Sequence, residues 1–121
     1  MPSDDAVQRF EDILANITRI EDFTNGLNAQ SFSQTDEAIY SVKYALLIIS
    51  EAAQKLDTIA TELCPGIPWR EIRGLGNRLR HEYDLIDVAR IWLVVEKDLP
   101  PLKQAVQAAL MWLRGSPTEN P

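Results

Sequence analysis

The chain has 121 residues, enough for one hydrophobic core but not two, and a composition of 45% hydrophobic and 25% charged residues argues against disorder. No apolar run approaches the ~18 residues of a membrane span, and the opening MPSDDA lacks the basic and apolar regions of a signal peptide. The single cysteine, Cys64, cannot form an intramolecular disulfide, so a cytoplasmic protein without membrane contact is expected. A net charge of −6 argues against non-specific binding of nucleic acid by the whole surface.

In chain order, the first expected helix covers 4–25. Ser3 is placed as its N-cap, and Asp4 and Asp5 stand in the first turn where acids favour the helix dipole. Val7, Phe10, Ile13, Ile17 and Ile20 recur at helical spacing, and Asn25-Gly26 is a natural stop. Ser33 with Asp36 resembles a capping box for a second helix over 34–63. Its stripe runs through Val42, Ala45, Leu46, Ile49, Ala53, Leu56 and Ala60. Around Tyr44–Ser50 apolar residues cover nearly the whole circumference, as in a helix buried on more than one side. Glu51 comes directly after this run, either as a rim carboxylate or as the partner of an arginine further along.

Two prolines and a glycine in 64–68 end that helix. Pro68 suits the first turn of a third helix over 68–82. Asp87 is expected to cap a fourth over 88–97. Pro100-Pro101 forces a restart, with Asp98 available as its cap, and apolar positions resume at Leu102, Val106 and Leu110. There is no internal repeat and no strand alternation. The expected fold is all-α, an antiparallel four- to five-helix bundle, with one domain over 1–115 and a flexible polar tail over 116–121.

The chemistry-bearing residues concentrate between Trp69 and Arg90. Residues 70–90 hold five arginines against four acids, leaving seven basic and fourteen acidic residues elsewhere. A phosphate-bearing partner would be drawn to this segment, with Arg70 and Arg80 as candidate contacts; a solvated helix face is the plainer alternative. Arg73, Asn77 and His81 are one turn apart on one face, with Arg80 and Asp84 at its edge. Gly74 and Gly76 weaken such a helix by roughly 1 kcal/mol each against alanine, which implies either close approach of a neighbouring helix or room for a ligand. His81 is the only histidine, with no second His or nearby Cys to complete a transition-metal site, so neither a metal nor a cofactor is expected. Imidazole both takes and gives a proton near neutrality. With an amide and guanidinium groups beside it, the matching reaction is metal-free RNA cleavage: the 2′-OH loses its proton and attacks the adjacent phosphate, and guanidinium charge stabilises the transition state.

The residues NRLRHEYD, following WREIRGLG and preceded by IISEAAQKL, resemble the HepT-like branch of the HEPN family from about Leu46 to Lys103. The resemblance is most specific at Asn77, His81 and Tyr83. It implies a small all-α homodimer whose two motif copies meet across the interface, acting as a ribonuclease toxin of a prokaryotic toxin–antitoxin pair. It also implies a minimal nucleotidyltransferase antitoxin as partner, which inactivates the toxin by adenylylating the motif tyrosine, here Tyr83. The plainer role of Tyr83 is packing against the start of the fourth helix. The family's arginine stands five residues before the histidine, and this chain has Gly76 there. Arg73, Arg78 or an arginine of the facing subunit could supply the missing charge. His81, Asn77 and Arg73 or Arg78 are thus the expected catalytic residues. The rival reading is a non-catalytic nucleotidyltransferase-partner or nucleotide-binding subunit.

Overall fold

The computed structural model describes residues 2–115, with side chains from Asp5 onward; the expected polar tail, 116–121, lies outside the described residues. Every regular element in that range is helical, as the sequence periodicity requires. Helix α1 (Pro2–Thr24) buries Phe10, Ile13, Ile17 and Ile20. It begins before Ser3, which therefore occupies the first turn and is not the cap. It ends where expected. The Thr24 hydroxyl donates to the Ile20 carbonyl at 2.7 Å, and Gly26 turns the chain at φ +80°.

A short helix α2 (Ala29–Ser33) precedes the long one. The capping box lies here rather than at Ser33 and Asp36. The Asn28 side-chain oxygen accepts from the Ser31 amide at 2.8 Å, and the Asn28 amide donates to Ser31 Oγ at 2.8 Å. Ser33 is engaged in donating to the Gln30 carbonyl at 2.6 Å, so it cannot cap the long helix. Phe32 is fully buried and tilts against Trp92 with ring centroids 5.1 Å apart, which fastens α2 to the sixth helix.

Helix α3 (Asp36–Leu56) is the centre of the bundle, packed against α1 on one side and α5 (Trp69–His81) on another. Val42, Ala45, Leu46, Ile49, Ala53 and Leu56 are buried, each large aliphatic contributing roughly 1.5–3 kcal/mol over exposure. Its third side is open: Tyr40 and Tyr44 are exposed. Apolar residues around Tyr44–Ser50 thus reflect two packed sides rather than complete burial. The helix stops at Leu56 instead of running to 63. Asp57 takes φ +51°, and a separate turn of helix, α4 (Thr58–Leu63), comes next.

After α5, a 3₁₀ turn (Tyr83–Leu85) leads to α6 (Val88–Leu93). The Asp87 carboxylate accepts from the Ala89 amide at 3.1 Å, the expected cap. Asp98 caps nothing. The backbone passes through a widened π turn (Val94–Asp98), where the Leu99 amide donates to the Val94 carbonyl five residues back, straight into α7 (Leu99–Leu113). Pro100 and Pro101 stand in the first turn of α7, where missing amides cost little, and the wide turn upstream spares the ring clashes. Leu102, Val106 and Leu110 of α7 close the core against α1. No helix among the described residues is long and apolar enough to cross a membrane.

Candidate active site

Helix α5 is anchored at its start by Trp69, which is buried and donates its indole N–H to the Cys64 carbonyl at 2.9 Å. Gly76 and Leu79 make its buried side. The opposite side presents Arg70, Gly74, Asn77 and His81, spaced by four, three and four residues and all exposed. Asn77 and His81 are therefore brought together on solvent-facing helix, as the spacing predicts.

Arg73 is not with them. Its Nε and Nη2 donate to the Ala53 carbonyl at 3.1 and 2.9 Å, and Nη2 also donates to the Asp57 carbonyl at 2.8 Å. The guanidinium bridges the break between α3 and α4, adding to the Asp57 amide at the Ala53 carbonyl and reaching the Asp57 carbonyl beyond it. A side chain expected to face phosphate holds backbone instead.

Gly76 explains itself through Ser50 of α3. A β-carbon at position 76 would stand 1.7 Å from Ser50 Oγ and 2.2 Å from Ser50 Cβ. Of the two uses considered for the glycines, Gly76 serves close helix approach. Gly74 has open space around it and leaves a flat spot between Arg70 and Asn77. An arginine cannot occupy position 76 without separating α3 from α5.

The other arginines differ in commitment. Arg78 pairs with Glu82 at 3.6 Å and Arg80 with Glu51 at 3.8 Å, all four side chains partly exposed. Glu51 is thus both a rim carboxylate and the partner of an arginine. Such pairs contribute at most about 1 kcal/mol and open readily for a better anion. Arg70 and Arg90 form no ion pair among the described residues. Arg78 and Arg90 together line two adjoining surface depressions, one of which includes Asn77.

Tyr83 packs against α3. Its ring stacks on Tyr40 at 5.9 Å and 12°, and its hydroxyl donates to the Tyr40 carbonyl at 3.3 Å. Lys43 donates to the Tyr83 carbonyl at 2.9 Å and lies 4.8 Å above the ring centroid. Burial pushes the Tyr83 hydroxyl above its ordinary pKa, and the neighbouring Tyr40 and Asp84 add to the rise. Sequence reasoning missed Tyr40 and Lys43. The available signal was Lys43 itself, a charge set inside the apolar stripe and 5% exposed, which is costly unless something polar receives it.

The sequence profile described as ribonuclease HepT-like matches residues 13–109, which contain all of these groups. The chain belongs to the ribonuclease HepT-like family. Relatives of this HepT-like chain include a protein of Methanocaldococcus jannaschii named for an inferred RNase activity, 34% identical over 79% of this chain and 88% of its own length. Another, from Thermococcus cleftensis, is named for an inferred ribonuclease HepT activity and is 37% identical over 77% and 84% of the two chains. A second M. jannaschii protein with an inferred RNase name is 27% identical over 95% of each. No solved structure gives a significant match.

Proposed function

We propose that this HepT-like chain is a metal-independent endoribonuclease, the toxin of a prokaryotic toxin–antitoxin pair, working in the cytoplasm as a homodimer without a cofactor. The observation that carries the reading is the pair Asn77 and His81, one turn apart and open to solvent on α5, inside the region the family profile matches. His81 takes the proton of the RNA 2′-OH as that oxygen attacks the adjacent phosphorus. The bond to the 5′-oxygen breaks, and the imidazolium returns a proton to the leaving oxygen, giving a 2′,3′-cyclic phosphate and a 5′-OH end. Asn77 positions the phosphate. Arg78, with Arg80 and Arg70, supplies charge, since Arg73 is held on backbone carbonyls.

A minimal nucleotidyltransferase antitoxin adenylylates Tyr83 and so silences the toxin. The Tyr83 hydroxyl is tied only to a backbone carbonyl, a bond that the modification replaces. The test is cleavage of varied RNAs by purified protein, confirmed unmodified by intact mass, with chelator present and beside His81→Ala. Cleavage that persists in chelator and disappears with His81 is the expected result. Cleavage surviving His81→Ala sinks the assignment.

One observation favours a second reading, in which the chain is a non-catalytic partner or nucleotide-binding subunit of the nucleotidyltransferase: position 76 cannot carry the arginine of the family motif. Expressing the chain alone separates the two, because a toxin slows growth and a binding subunit does not.

A further inference from the structure

The loss of arginine at position 76 leaves a specific question of charge. Arg73 is spent on the carbonyls of Ala53 and Asp57, and Arg80 leans on Glu51. Arg70 is two helical turns from Asn77, ~10 Å along the axis, and ~16 Å from His81. Beside Arg78, the remaining candidate is a guanidinium from a different helix. Arg90 of α6 lines the same depression as Gly74, Asn77 and Arg78, and continues with Arg78 into the adjoining one. It is exposed and has no ion pair among the described residues.

The acids nearby neutralise this arrangement only in part: Glu82 pairs with Arg78 at 3.6 Å, an exposed pair that opens readily for a better anion. Glu71 is the one carboxylate lining the depression with Asn77, against two guanidiniums. Asp87 lines the other, and its carboxylate already accepts the Ala89 amide at the N-cap of α6. Two arginines lining one depression beside an amide, with a glycine keeping the floor flat, suit a phosphodiester. The exposed side of Gly74 lets a backbone approach closely.

We propose that Arg90 is a phosphate-binding residue of the RNA site, which closes with Arg78 and Asn77 a subsite for the sugar–phosphate backbone beside His81. This rests on the ribonuclease reading of the chain. In an acidic chain such a contact carries a large share of RNA affinity, because bulk surface charge opposes binding.

The test uses the full chain carrying His81→Ala, which binds without cutting, and a fluorescent single-stranded RNA followed by anisotropy across a salt series. Arg90→Ala is expected to weaken binding several-fold at low salt and to reduce the slope of log K against log salt by about 0.7, the value for one phosphate on a single strand. Arg90→Lys keeps the slope, and Arg114→Ala at the far end of α7 changes neither quantity. In the His81-containing protein Arg90→Ala lowers cleavage at least tenfold while the melting temperature is unchanged. An unchanged slope with cleavage intact overturns the subsite and leaves the ribonuclease reading standing. A parent protein that neither binds nor cuts RNA overturns both. Binding of ATP that depends on Arg90, with RNA binding indifferent to it, assigns the arginine to a free nucleotide and overturns the backbone subsite.

Discussion

Ser50 on α3 fills the space that a side chain at position 76 of α5 would need, with its hydroxyl oxygen 1.7 Å from where a β-carbon would stand. The two helices therefore meet at a glycine–serine contact, and even one added methyl group must push them apart. Gly76→Ala is expected to destabilise the fold by about 2 kcal/mol despite alanine's better helix propensity. Adding Ser50→Gly removes both clashing atoms and leaves Ser50 Cα at 3.6 Å, an ordinary contact, so the double variant recovers most of the loss. Urea unfolding measures both. A Gly76→Ala protein as stable as its parent contradicts this glycine–serine packing.

Arg73 and Asp57 form the second such dependence. Arg73→Met keeps the apolar stem but deletes three donated hydrogen bonds at the end of α3, and a loss of about 3 kcal/mol is expected. Asp57 holds φ +51°, where a β-carbon is strained, so Asp57→Gly is expected to stabilise by about 1 kcal/mol. Denaturation midpoints check both directions, and a destabilised Asp57→Gly would show that the aspartate does more than turn the chain.

Glu51→Gln separates stability from binding. The Glu51–Arg80 pair is 3.8 Å long and its side chains are 49% and 33% exposed, so breaking it shifts stability by less than about 1 kcal/mol. It also removes a carboxylate from beside an arginine of the proposed RNA site. On the His81→Ala background the substitution is expected to tighten RNA binding at low salt, with the gain shrinking as salt rises. Weaker binding would place Glu51 among the groups that RNA uses.

The fold was legible wherever periodicity decides it. Phe10, Ile13, Ile17 and Ile20 repeat at helical steps and are buried, and Asp87 caps the helix after it. The errors occurred where a distant residue overrides a local pattern. Nothing in Leu56-Asp57-Thr58 signals a break; the arginine sixteen positions later braces it by donating to the Ala53 and Asp57 carbonyls. Ser33 looked like a cap because spacing alone does not show that its hydroxyl is already donating within α2. At the site, Asn77 and His81 share a face as helical spacing requires. Arg73 left that face for a partner on another helix, and the placement of Tyr83 on Tyr40 and Lys43 is a tertiary fact whose one local trace is the charge of Lys43 inside the apolar stripe.

Tyr83 gives a prediction in pH. Burial first, then Tyr40 and Asp84, raise its pKa in the folded protein, so the native state holds the phenolic proton more tightly than the unfolded chain does. The associated stability is complete below the unfolded value near pH ~10 and is lost as pH climbs through the higher folded value. Absorbance titration of the three tyrosines is expected to show a late component that disappears in Tyr83→Phe. The parent should also lose stability faster than Tyr83→Phe above pH ~10. Adenylylation would convert the phenol to an ester, so modified protein should lack the late component as well, which makes the same titration a readout of the antitoxin's proposed target. A late component that persists in Tyr83→Phe would place the shifted phenol elsewhere.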